Sequence, residues 1–249
     1  MNDEEKMTID EWNETRILVD EYVEQLDKKQ LSVDLEATTP DELELRKLAD
    51  IIYFHATLIE PEITGDIKEI SKLTNGQIVG KKDLETGEFK PSHVLKEKHS
   101  IERKILADSE AYHGNLVAAM KGIRDSVRYT VIFSDQNYTV NVDNFLHQLE
   151  NMGYYDLEVK NNWGSKACQG INVKLRAKDG TFFEIQFHTD RGHYIKEKCT
   201  RKLYRVIRDD NAPAKLRGMA SKLRKILQAA VFAPAGAKEY KFDSSLKRR

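Results

Sequence analysis

The segment G-I-N-V-K-L-R-A-K-D-G-T-F-F-E-I-Q-F-H-T, Gly170 to Thr189, decides how the rest of the chain is read. Two β-rich runs, Ile171 to Ala177 and Thr181 to Thr189, flank Lys178-Asp179-Gly180, and Asp-Gly between such runs is the strongest local signal for a hairpin. Successive side chains of a strand point to opposite faces, so Phe182, Glu184, Gln186 and His188 share one face of the second strand. Phe183, Ile185, Phe187 and Thr189 share the other. A carboxylate, an amide and an imidazole in a row inside a sheet each cost free energy unless a ligand, a metal or a neighbouring group satisfies them. An antiparallel sheet with a solvated polar face gives the same alternation, so the hairpin alone leaves both readings open.

Around the hairpin the pattern is that of an α+β domain. Val127 to Phe133 has the β-branched and aromatic composition of a buried strand, Val142 to Met152 reads as the helix after it, ending at Gly153, and Tyr154 to Lys160 reads as another strand. Long helices are expected from about Arg191 to Arg208 and from about Pro213 to Phe232. The sum is a mixed β-sheet of about four to five strands backed by helices. Upstream, Ser100 to Met120 reads as a helix with Ser100 at its N-cap. Residues 8 to 30 form an amphipathic helix opened by a Thr8/Glu11 capping box. Thr39-Pro40-Asp41-Glu42 opens a second helix to about Leu58, punctuated by Pro61 and followed by a short helix from Ile63 to Leu73. Asn75-Gly76 and Thr86-Gly87 mark turns in a polar connection that reaches Pro91. The expected organisation is a helical N-terminal extension (1–90), a catalytic domain (91–235) and a C-terminal tail (236–249).

Composition narrows the function. The formal charge of −1 hides an asymmetry: residues 1 to 60 carry −11 and residues 159 to 249 carry +14. The basic half suits an anionic ligand, and it equally suits a counter-surface for the acidic N-terminal helices. Two cysteines, Cys168 and Cys199, make no disulfide framework and no zinc-ligand spacing, which suits a reducing compartment. The chain lacks a secretory signal core at Met-Asn-Asp-Glu-Glu-Lys and lacks any apolar run of membrane-spanning length, so it is expected to be a soluble, cytoplasmic protein without a membrane role.

Three spaced features carry chemistry together. Lys96-x-x-x-Ser100-x-x-x-Lys104 lies at a loop-to-helix junction, Asp125 precedes the strand that contains Arg128, and Glu184-Ile185-Gln186-Phe187-His188-Thr189 lies in the hairpin. From about Val94 to Arg208, this set resembles the synthetase domain of the RelA/SpoT alarmone-synthetase superfamily, a nucleotidyltransferase-like fold whose members move pyrophosphate from ATP to the 3′-hydroxyl of an acceptor nucleotide. The F-E-I-Q-F-H-T form resembles the branch found in bacterial and phage-associated toxins more than the long housekeeping enzymes of that superfamily. No hydrolase domain of the long alarmone enzymes is recognisable in the first ninety residues, which are too few for one.

The resemblance implies roles residue by residue. Lys96, Ser100, Arg103, Lys104 and Arg128 would bind ATP, the lysines neutralising triphosphate oxygens near a helix N-terminus. Asp125 and Glu184 would hold Mg²⁺, and Glu184 would also polarise or deprotonate the acceptor's 3′-hydroxyl. Gln186 and His188 would complete the catalytic face, while Lys160, Trp163, Lys166 and Asn172 would meet the acceptor. Two departures stand out. Cys168 occupies the place of a tyrosine that stacks on the acceptor base, leaving Trp163, Tyr154 or Tyr155 to substitute. Val94 occupies the place of an arginine, leaving Arg103 or Arg124 to supply its contact.

The expected activity is therefore Mg²⁺-dependent synthesis of (p)ppApp or (p)ppGpp, as a toxin or stress effector in bacterial cytoplasm, delivered or phage-encoded. An antitoxin or immunity protein is the expected partner. One alternative keeps the chemistry but moves the acceptor to the 3′-CCA end of tRNA. Another is a catalytically inactive fold that senses nucleotides or binds a partner.

Overall fold

The computed structural model describes residues 7–33, 39–82, 89–165 and 169–243, and it contains the hairpin that Asp179-Gly180 encodes. Strands β6 (Ile171–Arg176) and β7 (Phe182–His188) pair antiparallel, with Asn172 across from Gln186, Lys174 across from Glu184 and Arg176 across from Phe182. Gly180 takes a positive φ of 90° at the turn, and the Asp179 carboxylate accepts from both the backbone N–H and the hydroxyl of Thr181.

The strand β4 (Arg128–Ile132) runs parallel to β7, placing Arg128 beside Glu184, Thr130 beside Gln186 and Ile132 beside His188. Outside it lies the two-residue β1 (Gln77–Ile78), and β5 (Tyr155–Asn161) closes the far edge, so the order is β1-β4-β7-β6-β5. The fold is α+β with a mixed five-stranded sheet, four of its strands lying where the sequence predicts them. The connection to Pro91 is more ordered than expected, because β2 (Gly80–Lys82) and β3 (Phe89–Pro91) form their own small antiparallel pair. Thr86-Gly87 lies outside the described residues.

One face of the sheet is the core. Tyr129, Val131, Val173, Leu175, Phe183, Ile185 and Phe187 are buried there, Phe187 packing against α5 (Tyr138–Asn151), whose Phe145, Leu146 and Leu149 are fully buried. Phe187 stacks on Phe133 at 5.8 Å and meets Phe145 edge-on at 5.2 Å. Tyr138, in the first turn of α5, donates from its hydroxyl to the Phe187 carbonyl at 2.7 Å.

Two helices differ from the sequence-based expectation. The segment from Pro40 to Leu73 is one helix of 34 residues, α2, running through Pro61. Ala49, Ala56, Ile63 and Ile70 recur every seven residues and are all buried, as is Ile67, so one packed stripe crosses the proline. That burial outweighs the lost backbone hydrogen bond and the ring clash, which cost about 3 kcal/mol. Conversely, the expected helix from Ser100 to Met120 is two: α3 (Lys98–Ser109) and α4 (Leu116–Lys121). His113 and Gly114 both take positive φ between them, and the Asn115 side chain caps α4 by accepting from the Ala118 N–H. The N-cap of α3 is Glu97, so Ser100 sits inside the first turn and does not cap the helix.

The chain forms two units, each built from three segments. The sheet, α2 to α5 and residues 234–243 belong to one. The other contains α1 (Ile9–Val33), residues 162–165 and the helices after Asp190. There the expected Thr8/Glu11 capping box is made, with bonds of 2.8 and 3.1 Å. The helix after the hairpin is interrupted, α6 (Asp190–Tyr194) passing through a π-helical turn (Ile195–Thr200) into α7 (Arg201–Ile207). Thr200 is buried, its hydroxyl donating back to the Lys196 carbonyl and accepting from Gln228 on α8 (Ala214–Ala229). Val19, Val23, Leu203, Val206, Leu216, Ala220 and Leu223 form this unit's core.

Gly170, which opens β6, has a φ of 143°, and a Cβ there would lie 2.6 Å from the Phe187 carbonyl oxygen and 2.7 Å from Nδ1 of His188. Gly170→Ala is expected to cost about 2 to 3 kcal/mol of stability, read as a lower urea midpoint at unchanged slope. A midpoint equal to that of the unsubstituted protein would show that the strand start relaxes freely.

Candidate active site

Residues 94 to 96 run antiparallel beside residues 126 to 128, joined by the Arg128 N–H to the Val94 carbonyl at 2.8 Å and by the Lys96 N–H to the Ser126 carbonyl at 2.9 Å. The Glu184 N–H in turn donates to the Val127 carbonyl at 2.9 Å. This short backbone ladder aligns three of the sequence features in one unit. Val94 is buried, so at the position where the resembling family carries an arginine this chain has a packed aliphatic side chain.

Asp125 lies in the connection before β4, not on a strand. Its Oδ2 accepts from Lys96 Nζ at 2.5 Å and its Oδ1 from Lys104 Nζ at 2.7 Å. Lys104 comes from the second turn of α3, and Asp125 is only 12% exposed. Burial pushes the Asp125 carboxyl up, but the two ammonium groups more than reverse this and hold it at about 2. Lys96 is itself pushed below its ordinary value, by burial first; Asp125 raises it without fully offsetting that burial, and the like charges of Lys104 and Arg128 add smaller lowering contributions. Two ammonium groups on one mostly buried carboxylate leave the cluster with a net positive charge, and Arg128 is near enough to add a third cation's repulsion to Lys96. Such a cluster is electrostatically complete only with a further anion.

The second cluster lies on the polar face of the sheet. Glu184 and Gln186 are buried and His188 is fully buried. Asn172 Nδ2 and Gln186 Nε2 both donate to Oε1 of Glu184, at 3.0 and 2.9 Å. Glu184 forms no ion pair with Arg128 among the described residues, although the two are register partners. The carboxylate is thus held by two neutral amides on one oxygen, and its Oε2 has no partner among the described residues. Oδ1 of Asn172 is buried with no hydrogen-bond partner. The His188 ring closes against Gly170.

Other candidates lie in different surroundings. Ser100 bonds to the neighbouring His99 ring at 3.3 Å, and Arg103 is exposed. Lys160 is exposed on β5, across from Asn172. Trp163 is buried in the other unit. Lys166 and Cys168 fall outside the described residues. Tyr154 is not free to stack on a base: it is buried against Phe183 on the core side, its hydroxyl bonded to Asp66 at 2.8 Å.

The polar face also holds Lys174 and Arg176, which sequence reading passed over. Lys174 is the register partner of Glu184, and the guanidinium groups of Arg176 and Arg124 lie 3.8 and 4.6 Å from the Phe182 ring centre. Arg124 also pairs with Glu158 at 3.1 Å, so it is not free to replace the missing arginine contact. Counting register outward from Asp179-Gly180 would have placed Lys174 and Arg176 on the face of Glu184.

The donor set suits a magnesium ion bound together with phosphates. Asp125 and Glu184 are hard oxygen ligands, and Mg²⁺ at nucleotide sites takes one or two carboxylates with phosphate and water completing its shell. Among the described residues no group of three or more His, Cys, Asp or Glu is gathered. No helix of the described residues is long and apolar enough to cross a membrane.

No protein-family model matches the chain, and no curated protein matches it by sequence. Among solved structures it is similar to the type VI effector Tas1, crystallised in complex with its immunity protein. The identity is 17%, covering 74% of this chain and 98% of that chain, with a TM-score of 0.47. It is also similar to the small alarmone synthetase 1 from Bacillus subtilis bound to its product pppGpp, at 8% identity over 72% of this chain and 90% of that chain, with a TM-score of 0.38. At these scores neither likeness decides the chemistry, which rests on the side chains described above.

Proposed function

We propose that the protein transfers pyrophosphate from ATP to the 3′-hydroxyl of a purine nucleotide. The observation that carries this reading is the Lys96–Asp125–Lys104 cluster, whose excess positive charge calls for a polyanion. Lys96, Lys104 and Arg128 bind the triphosphate, with Ser100 and Arg103 at its edge. Asp125, if released by the lysines as they turn to phosphate, and Glu184 would hold the magnesium ion. When bound, that ion neutralises and orients phosphate oxygens.

Oε2 of Glu184 accepts the proton of the acceptor's 3′-hydroxyl as the oxygen attacks the β-phosphorus. The bond between the α,β-bridging oxygen and the β-phosphorus breaks, and AMP leaves. Asn172 and Gln186 fix the other oxygen, so the carboxylate presents one free oxygen in a set direction. Lys160 attracts the acceptor's phosphates, and His188, buried on the same face of β7 as Glu184, supports the strand. Asn172→Ala is expected to lower the turnover rate about tenfold while the Michaelis constant for ATP changes little, and Asn172→Ser should recover part of the loss. Equal losses in both parameters would instead assign Asn172 to substrate binding.

An acceptor panel tests the reading. Protein incubated with γ-labelled ATP, Mg²⁺ and, separately, AMP, ADP, ATP, GDP, GTP or bulk tRNA is expected to label one of the purine nucleotides. Label in tRNA alone would assign the acceptor to its 3′-CCA end, and label nowhere would favour a nucleotide-sensing or partner-binding fold. An immunity partner belongs to the same proposal, in the sense that a toxic synthetase needs one in the cell that makes it.

A further inference from the structure

A row of four charged residues crosses the polar face of the sheet. Arg128 of β4 is the register partner of Glu184 of β7, Glu184 of Lys174 of β6, and Lys174 of Glu158 of β5. All four belong to the same unit. Residues directly opposite each other in an antiparallel pair project to one face with their Cβ atoms about 5 Å apart, so Lys174 has a carboxylate within reach on either side. The signs alternate along the row, yet the row does not neutralise itself. Glu184 accepts on Oε1 from Asn172 and Gln186, and Glu158 pairs with Arg124 at 3.1 Å. Lys174 has no hydrogen bond or ion pair among the described residues, although it is half-buried on a strand inside the sheet.

An ammonium drawn partly out of water costs free energy unless an anion meets it. Both flanking carboxylates are engaged elsewhere, and the oxygen that stays open, Oε2 of Glu184, is the one the proposed reaction needs. Lys96, Asp125 and Arg128 all lie on the β4 side of β7, whereas Lys174 lies on the β6 side, with Lys160 of β5 diagonally beyond it. The cations for the donor triphosphate are therefore separated from Lys174 by the strand that carries Glu184. We propose that Lys174 binds the first 5′-phosphate of the acceptor and makes that phosphate the feature by which the site selects its acceptor. The proposal rests on the pyrophosphate-transfer reading for the side on which the acceptor lies. The 3′-hydroxyl and the 5′-phosphate leave the same ribose, so an acceptor whose hydroxyl meets Oε2 of Glu184 brings its first phosphate to the neighbouring strand. Any further phosphates continue towards Lys160.

Calorimetry of the full chain tests this without turnover. The protein is held with Mg²⁺ and an ATP analogue that has a methylene in place of the α,β-bridging oxygen, and is titrated with AMP, adenosine, GMP or guanosine. One of the two monophosphates should bind at least about tenfold more tightly than its own nucleoside, as expected for a hydrogen bond between charged groups. Lys174→Gln should erase most of that difference by weakening the nucleotide and leaving the nucleoside where it was, and Lys174→Arg should keep most of it. The dissociation constant of the ATP analogue should be the same in all three proteins. A full preference retained in Lys174→Gln overturns the proposal. Equal losses for nucleotide and nucleoside do the same by marking a structural role, and a weakened ATP analogue does so by moving Lys174 to the donor. No preference in the unsubstituted protein, or no binding at all, also overturns it. The transfer reading fails separately: a protein with the Lys174-dependent preference that labels no acceptor has the phosphate contact without the reaction.

Discussion

Glu184→Gln is expected to reduce transfer of label from γ-labelled ATP by at least about a hundredfold without loss of fold. The substitution keeps the shape of the side chain and removes the negative charge. In the proposed reaction that charge is the proton acceptor for the 3′-hydroxyl and one of two carboxylates for the metal, and groups in such roles contribute two or more orders of magnitude. The folding cost should be small, because the glutamine carbonyl can still accept from Asn172 and Gln186 at the place of Oε1. A variant that transfers label at the unsubstituted rate removes Glu184 from the chemistry and leaves the amide-held carboxylate as a structural device.

The second large effect is at Asp125, and its sign depends on whether magnesium is present. In the free protein the Asp125 carboxylate holds Lys96 and Lys104 at 2.5 and 2.7 Å. A triphosphate that arrives without a metal must take those lysines and leave a nearly buried carboxylate beside its own negative charge, an arrangement that is strongly unfavourable. Arriving with Mg²⁺, it supplies the cation that the carboxylate loses. Asp125→Asn frees the lysines and removes the repulsion. Metal-free ATP is therefore expected to bind the variant about tenfold more tightly than the unsubstituted protein, as measured by calorimetry in chelator. Label transfer with Mg²⁺ should fall about a hundredfold. Tighter binding of metal-free ATP by the unsubstituted protein would mean that the lysine pair serves the fold and not the donor nucleotide.

The sequence was most informative where a local device sets geometry. Asp179-Gly180 specifies the hairpin and, through a period of two, the common face of Glu184, Gln186 and His188. Thr8 with Glu11, and Thr39 with Glu42, specify helix starts that the structure contains. It was least informative where distant packing overrides a local signal. Pro61 reads as a break, yet the seven-residue stripe from Ala49 to Ile70 keeps α2 continuous. The reverse error occurs at His113-Gly114, where apolar periodicity from Ile101 to Met120 hides a change of backbone direction that two positive φ angles produce.

The candidate site divides the same way. Lys96 and Lys104 could be placed at one loop-to-helix junction from the sequence, and Asp125 by its position before a strand. That both lysines converge on Asp125 could not be read, because it depends on residues 94–96 pairing with 126–128 across a separation of some thirty residues. Asn172 as a donor to Glu184 was within reach, since the hairpin register places it diagonally across the strand pair.

Product analysis with Mg²⁺, ATP and the labelled acceptor tests the central claim most directly. Pyrophosphate transfer requires one AMP for each acceptor that gains two phosphates, with the added groups on the 3′-oxygen, as read by mass spectrometry and phosphorus NMR of the purified product. The expected result is AMP and 3′-diphosphorylated nucleotide in equal amounts, both lost together in Glu184→Gln. Formation of ADP with a singly phosphorylated acceptor, or AMP without any modified acceptor, would contradict it.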